Sequence, residues 1–170
     1  GGSAPGQAGP TYNITGLTSG SYGITVTDNF GSTATSSATI LYLPVTNTTD
    51  NPDTYYATIQ AAINAADPGE VITVCAGTYN ENVNVTQAVT LTGAGSGSNP
   101  ATNTVLTPSS SCSGVGFTIS AANVTIQNMY VTNYQDAVLL TGVANPTINN
   151  MALVDYCRYG GSFGGSYSAV

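Results

Sequence analysis

The chain has 170 residues, of which 8 are Asp or Glu, 1 is Lys or Arg and none is His, giving a net charge of −7. Charged residues make up 5% of it, against roughly a quarter in an average soluble chain. With no basic patch to neutralise phosphates, the composition excludes nucleic acid and anionic membrane surfaces as partners, and with no imidazole or lysine amine it excludes a His base, a His metal ligand, a Schiff base and a Lys–Asn isopeptide staple.

The hydrophobic fraction of 41% and the 11 Tyr argue for an ordered chain, and the abundance of Val, Ile and Thr argues for an all-β, extracellular one. No apolar run reaches the roughly 18 residues of a membrane span, so no membrane insertion is expected. Residues 1–10 are rich in Gly, Pro and Ala and read as a linker. A targeting sequence, if the protein is exported, lies outside this chain.

Residues 11–43 read as strands. Tyr12-Asn-Ile14 is short. Tyr22, Ile24 and Val26 alternate on one face of the next strand. Asp28-Asn-Phe-Gly31 is a hairpin turn, because Asp, Asn and Gly tolerate positive φ, and Ser32–Leu41 is a second, Thr- and Ser-rich strand. Leu17–Tyr22 has the form of a tyrosine corner; the alternative is an ordinary aromatic on a strand face. A sandwich of this kind wants about seven strands, so the segment reads as a partial Ig-like β-sandwich.

Residues 44–56, with Pro44, Pro52 and a Thr/Asn/Asp cluster, read as a second linker. Asp50 and Asp53 are weak Ca²⁺ candidates there, since Ca²⁺ wants at least about six oxygens. A helix follows over 58–66. Thr58 is its N-cap, Ile59, Ala62, Ile63 and Ala66 form one apolar stripe, and Asp67-Pro-Gly69 stops it.

Beyond it lies a repeat. Val124–Tyr134 aligns with Pro146–Tyr156 at an offset of about 22 residues, matching Thr125 with Thr147, Ile126 with Ile148, Asn128 with Asn150 and Met129 with Met151. Looser copies are Val71–Val74, Val83–Val85, Val89–Gly93, Val105-Leu106 and Phe117–Ile119. Short strands broken by Gly, Asn and Ser at this period predict a right-handed parallel β-helix of three-strand rungs, about 22 residues each, over 57–170. Ile126 and Ile148 then stack inside the coil about 4.8 Å apart. Asn128 and Asn150 form a structural ladder at a turn. Thr90, Thr125 and Thr147 point outward as a column, of the kind that can bind ice or polysaccharide.

Two resemblances are carried by these residues. Leu17-Thr-Ser-Gly-Ser-Tyr22 through Asp28-Asn-Phe-Gly31 resembles the C-terminal half of Ig-like repeats in giant surface adhesins of gliding bacteria, with Ser32 where that family often has Cys. The resemblance implies export by a type IX secretion system, a sorting domain further on, and secretion machinery or surface-anchoring proteins as partners. Thr58–Ile63, Asp67-Pro-Gly69, Val71–Val83 with its Ala76-Gly-Thr-Tyr79-Asn-Glu81 stretch, and Val89–Gly93 resemble the start of the pectin-lyase-like β-helix superfamily. There the short helix caps the first rung. That scaffold carries both enzymes and adhesins.

For chemistry, the best carboxylate pair is Asp136 and Asp155, which the repeat places on adjacent rungs, with Tyr134, Tyr156 and Tyr159 as nearby rings for a sugar. Both acids also fit turn positions. Asp67, Glu70 and Glu81 read as capping and corner residues. The one arginine, Arg158, has no acidic cluster around it in sequence. Of three cysteines, Cys112 and Cys157 are the candidate disulfide, although the repeat phase sets them about two rungs apart, near the limit of about 7 Å between Cα atoms. Cys75 reads as a small buried residue or a free thiol.

The expectation is a non-catalytic structural or adhesive segment of a large secreted bacterial cell-surface protein, with no cofactor and an extracellular polysaccharide or other surface ligand as partner. The alternatives are a carbohydrate-active enzyme fragment acting through Asp136 and Asp155, and a subunit of an extracellular filament.

Overall fold

The alternation at Tyr22, Ile24 and Val26 builds a hairpin. Strands β1 (Gly20–Thr27) and β2 (Thr33–Ile40) pair antiparallel along their whole length, from Gly20 opposite Ile40 to Thr27 opposite Thr33. Asp28 closes the turn, its carboxylate accepting the Phe30 and Ser32 N–H groups at 2.9 and 2.8 Å. Gly31 supplies the positive φ, +87°, that the turn requires. These bonds, the one from Ser32 foremost, hold the Asp28 carboxyl below its usual range. Tyr22, Ile24 and Val26 face Ala38, Ser36 and Ala34 across the ladder, and the opposite face is mostly Ser and Thr.

This computed structural model describes residues 20–154, and the chain divides into two compact units, Gly1–Tyr42 and Leu43–Val170. It is mostly β, with one short helix. Tyr12–Ile14 and the Leu17 end of the corner motif lie outside the described residues; Tyr22 is half-buried in β1.

In the second unit the stretch read as a linker is not one. Residues 44–56 hold β3 (Val45–Asn47) and β4 (Thr54–Tyr56), which pair antiparallel with each other. Strand β3 also runs antiparallel along β5 (Val71–Val74). A polar composition misled the reading because the inward polar residue is satisfied locally. Asn47 is 1% exposed, and its amide donates to Glu70 at 2.6 Å and accepts the Thr49 N–H at 3.1 Å. Helix α1 (Ile59–Ala65) follows, with Thr58 as N-cap accepting the Ala61 N–H at 3.1 Å, and Ile59, Ala62 and Ile63 turned inward.

The remaining strands run parallel in three ladders. The first stacks β5, β8 (Thr90–Gly93), the opening of β11 (Thr125–Thr132) and the opening of β13 (Thr147–Val154). The second stacks β6 (Gly77–Asn80), β9 (Thr104–Thr107) and the later halves of β11 and β13. The third stacks β7 (Val83–Val85), β10 (Val115–Ile119) and β12 (Asp136–Leu140). With the antiparallel β3 and β4 at its edge, the largest sheet is mixed.

Register explains the repeat. Ile126 pairs with Ile148 and Met129 with Met151, a step of 22 residues. Ile72 pairs with Leu91, 19 residues on, and Leu91 with Ile126, 35 on. The strands stay in line while turns of unequal length take up the difference, chiefly the loop at 94–103 between β8 and β9. Inward positions form one core in which Ile72, Leu91, Ile126, Leu106, Phe117 and Ile119 are all at most 1% exposed. Full burial of each such side chain contributes about 1.5–3 kcal/mol.

The stacking leaves no room at Gly93. A Cβ there would sit 2.3 Å from the Asn128 carbonyl oxygen and 2.6 Å from Met129 Cγ. Gly93→Ala therefore overpacks the stacked strands at a backbone atom, and a destabilisation of about 1–3 kcal/mol is expected in denaturant unfolding. An unchanged midpoint would show that the neighbouring strand is not seated against Gly93.

Candidate functional site

The positions that alternate with the core face outward. On the first ladder, Thr46, Thr73, Thr92, Gln127 and Asn149 form one cross-strand row. Val71, Thr90, Thr125 and Thr147 form the next. Successive residues in a row lie about 4.8 Å apart, the spacing of paired strands. Gln127 donates its amide to the Thr92 hydroxyl at 3.1 Å, so the row is bonded along its length there. Tyr55, 57% exposed, ends the longer row by pairing with Thr46. Neither row contains a charged side chain.

A second set of polar residues turns corners. Asn128 and Asn150 take left-handed backbone, φ +59° and +46°, between the two halves of β11 and of β13. Asn tolerates this region better than most residues because its short side chain bonds locally. The Asn150 amide donates to the Asn128 side-chain oxygen at 2.7 Å, and Asn145 to Asn123 at 3.4 Å, both across 22 residues. Ile126 lies in the core one strand from Ile148, which is half-buried.

Glu81, Glu70 and Asp50 are committed to the scaffold in the same way. Glu81 accepts the first N–H groups of α1, from Ile59 and Gln60, at 3.0 Å each. Glu70 accepts from Asn47 and from the Asp67 N–H at 2.8 Å. The Thr54 hydroxyl donates to Asp50, and Asp53 is exposed. Among the described residues no group of three or more His, Cys, Asp or Glu is placed to hold a metal ion.

Tyr134, taken from sequence as a ring for a sugar, is instead buried at 0% exposure. Its hydroxyl donates to the Glu81 carbonyl. The position after the Asn133 corner, which has φ +63°, points its ring into the core. Burial, with the Glu81 charge second, pushes the phenol well above its ordinary value. Asp136 opens β12 opposite Val115. Its proposed partner Asp155, the rings Tyr156 and Tyr159, and Arg158 lie outside the described residues. Cys112 is disulfide-bonded, and Cys157 also lies outside the described residues. Cys75 is free and exposed, not buried.

Sequence reading missed Thr104, buried at 0%. Its hydroxyl lies 3.1 and 3.0 Å from the Val74 and Cys75 carbonyl oxygens and accepts the Ala94 N–H at 2.8 Å. Every buried side-chain nitrogen or oxygen among the described residues has a hydrogen-bond partner. Among those residues no helix is long and apolar enough to cross a membrane. The chain matches no family model, no curated protein and no solved structure.

The raised Tyr134 phenol has a consequence for stability. The folded state holds that proton more tightly than the unfolded state, whose phenol titrates near 10.0. The contribution is therefore complete below that pH and is lost as pH rises beyond it. Tyr134→Phe should lower stability by about 1–2 kcal/mol at neutral pH through the unpaired Glu81 carbonyl. It should also flatten the alkaline limb of the unfolding profile. A variant with the parent's alkaline slope would place the effect elsewhere.

Proposed function

We propose that the second unit is the opening of a right-handed parallel β-helix and that the chain is a non-catalytic, adhesive segment of a secreted cell-surface protein. Three parallel ladders, each fed in sequence order by strands of successive turns, support the coil. The hand follows from the right-handed crossover that parallel strands adopt in nearly all cases. On the resemblances above, a type IX secretion system exports it, and its partners are that machinery, the proteins that anchor it, and an extracellular polysaccharide.

The single observation that carries the adhesive reading is where the polar side chains go. Glu70 and Glu81 are bonded to the chain's own donors, and Tyr134 fills the core. What the first ladder presents outward, apart from Val71 and the terminal Tyr55, is a repeated, uncharged set of hydroxyls and amides. Such a surface binds by many weak contacts and does not activate a nucleophile or protonate a leaving group.

The test sets binding beside degradation. The purified chain is passed over immobilised polysaccharides and, separately, incubated with the same polymers while reducing ends and unsaturated products are followed. Retention without new ends is expected. Release of sugar ends that disappears in Asp136→Asn would overturn the reading in favour of a carbohydrate-active enzyme.

A further inference from the structure

The outward rows of the first ladder have a composition that selects a ligand. Thr46, Thr73 and Thr92 stand in register on β3, β5 and β8, and Thr90, Thr125 and Thr147 do so on β8, β11 and β13. A threonine hydroxyl both donates and accepts, as does a sugar hydroxyl. Rows repeating at about 4.8 Å offer an extended polymer the same contact many times over. Tyr55 stands independently at the end of the longer row with more than half its surface open, and an exposed aromatic ring is an apolar platform with a polar tip.

Charge decides between polymers. The rows carry none, and the chain as a whole carries −7, so it repels a polyanion and has no cation to hold one. A second copy of the chain is a poor occupant, because the buried centre of a stable protein interface is apolar and rich in aromatics, and these rows, Val71 and the terminal Tyr55 apart, are hydroxyl and amide. From this we infer that the outward face of the first ladder is a docking surface for a neutral, extended, β-linked polysaccharide. Tyr55 stacks on a sugar ring at one end, and the Thr rows bond the hydroxyls along it. The inference rests on the adhesive reading and adds the face and the class of ligand.

The experiment is depletion of the full chain from solution onto microcrystalline cellulose and onto chitin, with a pectate gel as the acidic comparison. Retention on cellulose or chitin and not on pectate is expected. The variant Thr73→Val/Thr90→Val/Thr125→Val removes three outward hydroxyls while keeping shape and strand preference. It should melt with the parent and bind about tenfold more weakly or worse, since each lost bond is worth a factor of a few. Tyr55→Ala should weaken binding in the same assay, and Thr78→Val, exposed on the second ladder, should not. Equal binding by the parent and the triple variant would overturn this face as the site and leave the adhesive reading standing. No retention on either neutral polymer, preferential retention on pectate, or a dimer in light scattering that the triple variant abolishes would overturn the ligand class. Release of sugar ends from any polymer would instead count against the adhesive reading itself.

Discussion

A corner turned by one residue has to be turned at the same place in every layer that stacks on it. That constraint organises the second unit. At the level of Asn128 and Asn150 the chain passes from the first ladder to the second through one left-handed residue, so the strands on either side stay continuous and the two side chains fall one above the other. One layer back the equivalent position is Gly93, paired in turn with Val74. Here the chain leaves the ladder for a longer loop. The absence of a Cβ lets the Asn128 backbone close over it. Asn and Gly thus occupy one column for different reasons, the first for the conformation it tolerates and the second for the space it leaves.

The same geometry settles where polar chemistry can be placed. Stacked strands with their apolar residues inside have polar backbone groups at each corner and at the first edge. These must be met by side chains or by water. Glu81 meets the start of α1, Tyr134 meets the Glu81 carbonyl, and Thr104 lies against two carbonyls where the first layer leaves β5. Glu70 and Asn47 join the antiparallel edge to the first parallel strand. An acidic residue held this way is an acceptor of fixed geometry. Among the described residues Asp28, Asp50, Glu70 and Glu81 are held by bonds of this kind, and the outward rows of the first ladder carry no charge.

How much of this the sequence reveals depends on whether the signal is periodic. The match of Ile126 with Ile148 and Asn128 with Asn150 is visible because no insertion lies between them, and the register in the structure has the same step. The helix is legible for a similar reason, since its cap and apolar stripe are local. The step from Leu91 to Ile126 is hidden because a loop adds residues without changing the register. The strands at Val45–Asn47 and Thr54–Tyr56 are hidden because each is short, the strand that anchors the pair, β5, is far away in sequence, and one inward residue is a satisfied Asn. Tyr134 misleads for the opposite reason. An aromatic at a matched position beside a turn looks like a surface ring, and only the tertiary placement of the Glu81 carbonyl shows that its hydroxyl has a buried partner.

These differences bear on the faces of the parallel ladders. Insertions are tolerated between strands, because a loop's closure entropy grows slowly with its length, but not within them, where a slip of one residue would exchange inward for outward side chains. The first ladder keeps its outward rows aligned through steps of 19, 35 and 22 residues, so the alignment of Thr90, Thr125 and Thr147 does not depend on a regular sequence repeat. It depends on Leu91, Ile126 and Ile148 remaining one above another on the inner side. An outward array of this kind can change its side chains without disturbing the core, and the core can vary its turns without disturbing the array. That separation leaves the outward rows free to vary, while Glu70, Glu81 and Tyr134 are taken up in holding the strands in place.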